Sequence, residues 1–293
     1  MIAINYLFMV TNNPKESNCV STIEYNYILS YTLQKSYKQN SFPWKFVLRS
    51  QEVWVMIFNR FAFASSVVLM IVKFPDYLIS VIGLNINQVG YFMALINGIN
   101  CLSNIISALL ADYCIKRKLL NSKTRIRKMF NSINSIGSFI SFCLIPQANC
   151  NLVFLFAFSS LQMIFQGVQS GGLIPLVTDL TNEHSPTLNG FAAMISMSSA
   201  CILPFLIGVL LDAFPNTLKH VWWNVFYSIA VLQFVAGSTF IVWGSAEMQN
   251  WDSATTTNTK LKTSQKKKPD CAEIENIRFY CKITTDKQNT NFF

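Results

Sequence analysis

The chain has 293 residues, 52% of them hydrophobic and only 13% charged, with a net charge of +9 and a mean hydropathy of +0.34. Soluble domains carry about 25% charged residues, so water is not the main solvent of this protein. Its Lys and Arg residues lie in the connections between apolar runs, not interleaved with aromatics on one polar face, which argues against nucleic acid and for membrane topology.

The first ten residues are apolar, but Asn5 interrupts them and Thr11, Asn12, Asn13 and Pro14 follow in place of a small-residue cleavage site, so they do not read as a signal peptide. Residues 1–52 are expected to be a cytosolic segment, with Lys15, Lys35, Lys38, Lys45 and Arg49 leading to the first apolar run. That run, 53–72, is closed by Lys73, Pro75 and Asp76, and a short loop with Gly83 and Asn85 leads to a second at 89–111. Each has about the length a helix needs to cross a hydrocarbon core. A dense cluster then follows in a short connection (Lys116, Arg117, Lys118, Lys123, Arg125, Arg127 and Lys128), and the positive-inside rule places it in the cytosol. A third span is expected at 129–145, a fourth at 152–177 after an uncharged turn, a fifth at 191–211 and a sixth at 221–243. Asp179 and Glu183 fall in the connection after the fourth. Trp222, Trp223 and Trp243 bracket the sixth, where indole rings favour the headgroup level. The fold class is therefore an all-α membrane protein, with a six-helix transmembrane domain at 53–243. A polar, basic tail at 244–293 is expected to be disordered, its run Lys266, Lys267 and Lys268 solvated or touching anionic lipid. Both termini are placed in the cytosol.

Polar residues inside these runs are periodic. Asn97, Asn100 and Asn104 form one stripe on the second span, Asn131, Asn134, Ser138 and Ser141 another on the third, and Ser159, Gln162, Gln166 and Gln169 a third stripe on the fourth. Each residue alone reads as an interhelical hydrogen bond; together they read as a candidate substrate path. Arg60 is the basic residue placed clearly inside a span, about 10 Å along the helix from its start. An intramembrane charge is a functional hypothesis by default, though a long stem this near the interface can also snorkel. Gly167, Gly171 and Gly172 include the G-x-x-x-G spacing that lets helices approach closely. Eight cysteines show no C-x-x-C pair; Cys101, Cys143 and Cys201 sit in apolar runs as small hydrophobes, and a Cys271–Cys281 bridge would be reduced in a cytosolic tail. His184 and His220 lack catalytic or metal-binding neighbours, and no nucleophile-elbow, zinc or phosphate-loop motif occurs. No enzyme, metal site or cofactor is therefore expected.

Several segments carry a family resemblance. Ser21, Glu24, Tyr27 and Ile28 precede the first span, followed by Pro43, Trp44, Lys45, Val53 and Trp54, then Pro75 and Tyr77. Val89 and Gly90 open the second span; Ala111, Asp112, Arg127 and Lys128 flank the basic connection; Asp179, Asn189, Gly190, Pro204 and Gly208 follow. The ending from Gly244 to Asp252, GSAEMQNWD, is the most specific piece. In this order they resemble the C-terminal half of the major facilitator superfamily, specifically its anion:cation symporters, which include sialin, the vesicular glutamate transporters and the type I sodium–phosphate cotransporters. The mitochondrial carriers, also six-span, are set aside because their threefold P-x-[DE]-x-x-[KR] repeat is absent.

The resemblance implies six helices around half of a mid-membrane substrate site, exposed alternately to the two sides by rocking against a second six-helix half. It implies transport of organic or inorganic anions, coupled to sodium or protons, in a plasma membrane or in a lysosomal or vesicular membrane. The partners it implies are the lipid bilayer, a small anionic solute and a second half-transporter chain. The candidate path comprises Arg60, Asn97, Asn100, Asn104, Asn134, Ser138, Gln162, Gln166 and Gln169; the candidate gating and topology residues are Asp112, Lys116, Arg117, Arg127 and Lys128. Asp112, at the cytosolic end of the second span, is expected to pair with Lys116 one turn on, offsetting an unfavourable helix dipole. Phe63 stands where glutamate-transporting members have an arginine, so glutamate is not the expected substrate; Ile174 and Leu176 stand where the family usually shows asparagines, so an altered or degenerate pocket is expected. The alternative is a truncated, non-transporting fragment or a regulatory half-transporter.

Overall fold

Every predicted span becomes helix. The computed structural model describes residues 42–118, 120, 122–148, 151–181 and 184–248. Among them are six helices long and apolar enough to cross a membrane: α1 (Gln51–Ser80), α2 (Ile86–Lys116), α3 (Lys123–Ala148), α4 (Leu152–Leu180), α5 (Ser185–Ala213) and α6 (Pro215–Trp243). No strand occurs among the described residues. Ser21 to Ile28, the Lys266–Lys268 run and Cys271 with Cys281 lie outside them.

The helices outrun their apolar cores because polar residues cap them. Asn85 forms a capping box at the start of α2, its backbone N–H donating to Gln88 Oε1 at 3.0 Å. Ser122 Oγ accepts the Thr124 N–H at 3.2 Å, and Asn151 Oδ1 accepts that of Val153 at 3.0 Å. The third span therefore starts at Lys123, not 129: Lys123, Arg125, Arg127 and Lys128 are helical, and the basic connection shrinks to residues 117–122. α1 does not stop at Lys73 either. A π-helical turn at Leu69–Lys73 precedes Pro75, which has no N–H to donate, and the helix runs on to Ser80. α4 breaks at a comparable distance from its own start, through a 3₁₀ turn at Gln169–Gly171 and a non-helical step before Pro175.

Packing follows the neighbour series α2, α4, α3, α6, α1, α5. This series is unchanged in its contacts when α1 is exchanged with α4, α2 with α5 and α3 with α6. Three spans carry the chain across a membrane an odd number of times, so two such triplets are inverted with respect to each other. α2 and α5 end the series, with only 11% and 17% of their most apolar windows buried.

The bundle end remote from the basic connection that follows α2 is locked by Phe74 and Tyr77 of α1, Phe142 of α3, and Trp222 and Phe226 of α6. Tyr77 meets Phe226 edge-on at 5.2 Å and Trp222 at 5.6 Å. Trp222 is fully buried and so is not a headgroup anchor; it lies one turn before Phe226 on the face that α6 turns to α1. Trp223, with Lys219 5.1 Å over its ring, and the exposed Trp243 remain at the helix ends.

Candidate substrate path and basic-end lock

The three polar stripes line two seams on either side of α4. In the α3–α4 seam Asn134, Ser138, Gln162, Gln166 and Gln169 are all buried. Gln162 Nε2 donates to Ser66 Oγ of α1 at 3.2 Å and to Ser138 Oγ of α3 at 3.3 Å. Asn131 Nδ2 donates to Asn59 Oδ1 at 3.1 Å, and Asn59 Nδ2 to the Ala236 carbonyl of α6 at 2.6 Å. One hydrogen-bonded set thus joins α4 to α1 and α3, and a second joins α6 to the same two helices, as hydrocarbon demands of groups that cannot reach water. The second seam joins α2 to α4. Asn100 Nδ2 donates to the Met163 carbonyl at 2.9 Å, Ser103 Oγ to that of Ile164 at 2.6 Å and Ser107 Oγ to that of Val168 at 3.0 Å. Asn104 bonds back to Asn100 and Asn97 to the Met93 carbonyl, both half-buried. Gly167 makes this approach feasible: a Cβ there would lie 2.9 Å from the Asn104 backbone nitrogen.

Arg60 is half-buried, and its Nη1 donates to Asn189 Oδ1 of α5 at 2.7 Å. Among the described residues the ion pairs are Lys73–Asp76 and Arg127–Asp179, so no carboxylate neutralises Arg60.

At the basic end the expected Asp112–Lys116 pair is absent: both side chains are exposed, and neither takes part in an ion pair among the described residues. The reason is competition from water at a helix end. Arg117 instead lies 5.7 Å from the Tyr113 ring centroid. Arg127 does more than set topology. Its Nε donates to Asp179 Oδ2 at 2.8 Å and its Nη1 to the Gly171 carbonyl at 2.7 Å, both largely buried, tying the start of α3 to the break in α4. Lys128 Nζ donates to the Ile241 carbonyl in the last turn of α6 at 2.7 Å, where a cation suits the helix dipole. The segment after α6 folds onto the same place: Ala246 N–H donates to Thr124 Oγ1 at 3.2 Å. A cavity of about 330 Å³ opens beside it, lined by Ser122, Lys123, Thr124, Thr178 and Asp179. No cluster of three or more His, Cys, Asp or Glu able to hold a metal ion occurs among the described residues.

Sequence reasoning missed Asn59 and Gln233, the latter donating to the Ala62 carbonyl at 3.2 Å, and named Asn189 only as a family residue, not as the partner of Arg60. Asn59 and Gln233 are uncharged polar residues outside any stripe in an apolar run; counting such residues as well as stripes would have raised them.

The model of the Major Facilitator Superfamily matches residues 1–204. The chain belongs to the major facilitator superfamily. Among curated relatives, sodium-dependent phosphate transport protein 1 of Mus musculus is 23% identical over 252 residues, covering 86% of this chain and 53% of the relative. Sialin of Homo sapiens is 22% identical over 248 residues, 84% of this chain and 49% of its own. Sodium-dependent phosphate transport protein 4 of Homo sapiens is 25% identical over 248 residues, 84% and 58%. These relatives are all in the anion:cation symporter group of the superfamily, and the chain spans about half their length. The inverted triplets are the arrangement that this superfamily nests within each of its six-helix halves.

Proposed function

We propose that this chain transports small organic or inorganic anions across a membrane by alternating access, coupled to a sodium or proton gradient, and that it is not an enzyme. The observation that carries the reading is Arg60. A guanidinium set into a span, held by a neutral asparagine on α5 and facing no carboxylate among the described residues, is a standing attraction for an anion. The names of the curated relatives, phosphate transport proteins and sialin, support the same substrate class. α2 and α5, the least buried helices, are the faces to which a second half-transporter chain would dock in the bilayer. The host membrane is a plasma membrane or a lysosomal or vesicular one, with the Lys116–Lys128 end in the cytosol.

The test is uptake of radiolabelled phosphate, sialate, urate and glutamate into liposomes carrying the purified chain, with and without a sodium or proton gradient. Gradient-dependent uptake should fall about tenfold to a hundredfold in Arg60→Ala, the worth of a lost hydrogen bond to a charged group. A rival reading, a regulatory unit acting on a longer relative, draws on the half-length match. Absent uptake from the inserted chain, with altered uptake when it is added to such a relative, would favour that rival.

A further inference from the structure

Directly before α1 the chain makes one further turn of helix, Trp44–Val47. Backbone bonds carry the turn past its end: the Leu48 N–H donates to the Trp44 carbonyl at 2.9 Å, and those of Arg49 and Ser50 to the carbonyls of Phe46 and Val47, both at 3.2 Å. Val47 is fully buried and pins the turn to the bundle. Trp44 rests edge-on against Phe191 of α5, with ring centroids 5.4 Å apart, and the Trp54 indole N–H of α1 donates back to the Leu48 carbonyl at 2.8 Å. The turn is therefore held from both α1 and α5, yet Trp44, Phe46, Leu48 and Trp54 remain between 45% and 63% exposed.

At about 100° per residue the exposed arc of the turn runs Trp44, Leu48, Lys45, Arg49, Phe46, with Val47 turned the other way. Two exposed cations thus lie between apolar side chains. Neither takes part in an ion pair among the described residues, and Glu52, the nearest acid along the chain, accepts the Ser50 hydroxyl at 2.9 Å.

Apolar side chains exposed along the middle of a span face acyl chains and call for no other partner. These stand where a span begins, since Arg49 is two residues ahead of Gln51, the first residue of α1. At that depth indole and phenyl rings enter the boundary between headgroups and acyl chains, and cations beside them meet lipid phosphates. A zwitterionic headgroup brings its own cation with its phosphate, whereas an anionic one has net charge to give to Lys45 and Arg49. Two spans, α1 and α2, return the chain to the side from which α1 enters, so this turn shares a membrane face with the basic connection after α2. The leaflet on such a face is the one rich in anionic lipid.

We propose that Lys45 and Arg49, with Trp44, Phe46 and Leu48 around them, form a docking surface for the headgroup of an anionic phospholipid. Trp44 touches Phe191, two residues past the asparagine that holds Arg60, so a lipid bound here braces the α1–α5 seam. The surface stands whether or not the chain transports.

The test places the chain in phosphatidylcholine nanodiscs and follows quenching of its tryptophan fluorescence by brominated phosphatidylserine or, in parallel, by the same fraction of brominated phosphatidylcholine. Trp44 and Trp54 adjoin the two cations, so the wild type should be quenched more strongly by phosphatidylserine. Lys45→Gln/Arg49→Gln, at exposed positions, should bring the two curves together, each basic residue being worth about fivefold in affinity for an anionic surface. Lys123→Gln/Arg125→Gln removes the same charge at the start of α3 and should leave most of the difference. Equal quenching by the two lipids in the wild type, a preference intact in Lys45→Gln/Arg49→Gln, or an equal loss in both double variants would each overturn the proposal, the last because it would report only the charge of the whole basic end.

Discussion

Arg127 shows how much a single residue decides here. Its side chain and that of Asp179 are 7% and 15% exposed, so the pair lies in a medium where one partner without the other is an uncompensated charge. Arg127→Ala or Asp179→Asn should destabilise the fold by about 3–5 kcal/mol, whereas Arg127→Met combined with Asp179→Leu should recover most of that loss. Denaturant unfolding in mixed micelles would check both. Asp112 offers the contrast: exposed and outside any described ion pair, it should tolerate Asn with a change in stability within about 0.5 kcal/mol. The sequence suggested the opposite ranking, because Asp112 and Lys116 are one turn apart whereas Arg127 and Asp179 are separated by 52 positions. Proximity along a helix is visible in a sequence; a partner on another helix is not.

At the scale of the element, glycines separate the tight seams from the open faces. Gly167 presses against Ser103 and Asn104 of α2, so Gly167→Val should push α2 from α4 and destabilise by about 1–3 kcal/mol. Gly98, on α2 itself, has nothing within 4 Å of where a Cβ would stand. Gly98→Ala should therefore be neutral or stabilising by about 0.5–1 kcal/mol through better helix propensity. Paired unfolding curves of the two variants would show whether α2 packs against α4 in the bilayer. The six spans were legible because uninterrupted apolar length is a one-dimensional property. Their ends were not, since Ser122 as a cap recruits Lys123 to Lys128 into α3 and a π turn carries α1 through Pro75. The stripes were legible as faces, but 3.6-residue periodicity cannot say which helix each face meets. Ser138 and Gln162 therefore looked like walls of a path, whereas they bond to each other.

For the whole molecule, the neighbour series makes every strong contact run between α1–α3 on one side and α4–α6 on the other. Residues 1–148 and 152–293 produced as separate chains in one cell should therefore co-purify, while either one alone should be degraded or aggregate. Recovery of a stable 1–148 fragment by itself would contradict the packing order. The superfamily assignment and the all-α six-span architecture were readable from composition and motif order, because both depend on residues spread over most of the chain. The bonds from Gln162 to Ser66 and Ser138 and from Asn59 to the Ala236 carbonyl were not, because they form only when the two triplets interlock.

That interlocking has a consequence for biosynthesis. While α1, α2 and α3 leave the translocation channel they have almost nothing to hold one another, since few contacts join them directly. Asn59, Ser66 and Ser138 then stand in or near lipid until α4 brings Gln162 and α6 the Ala236 carbonyl. The nascent protein is thus most exposed to cellular surveillance midway through its synthesis. A pause in translation before the fourth span would lengthen that window, and a membrane chaperone that shields polar helix faces would shorten it.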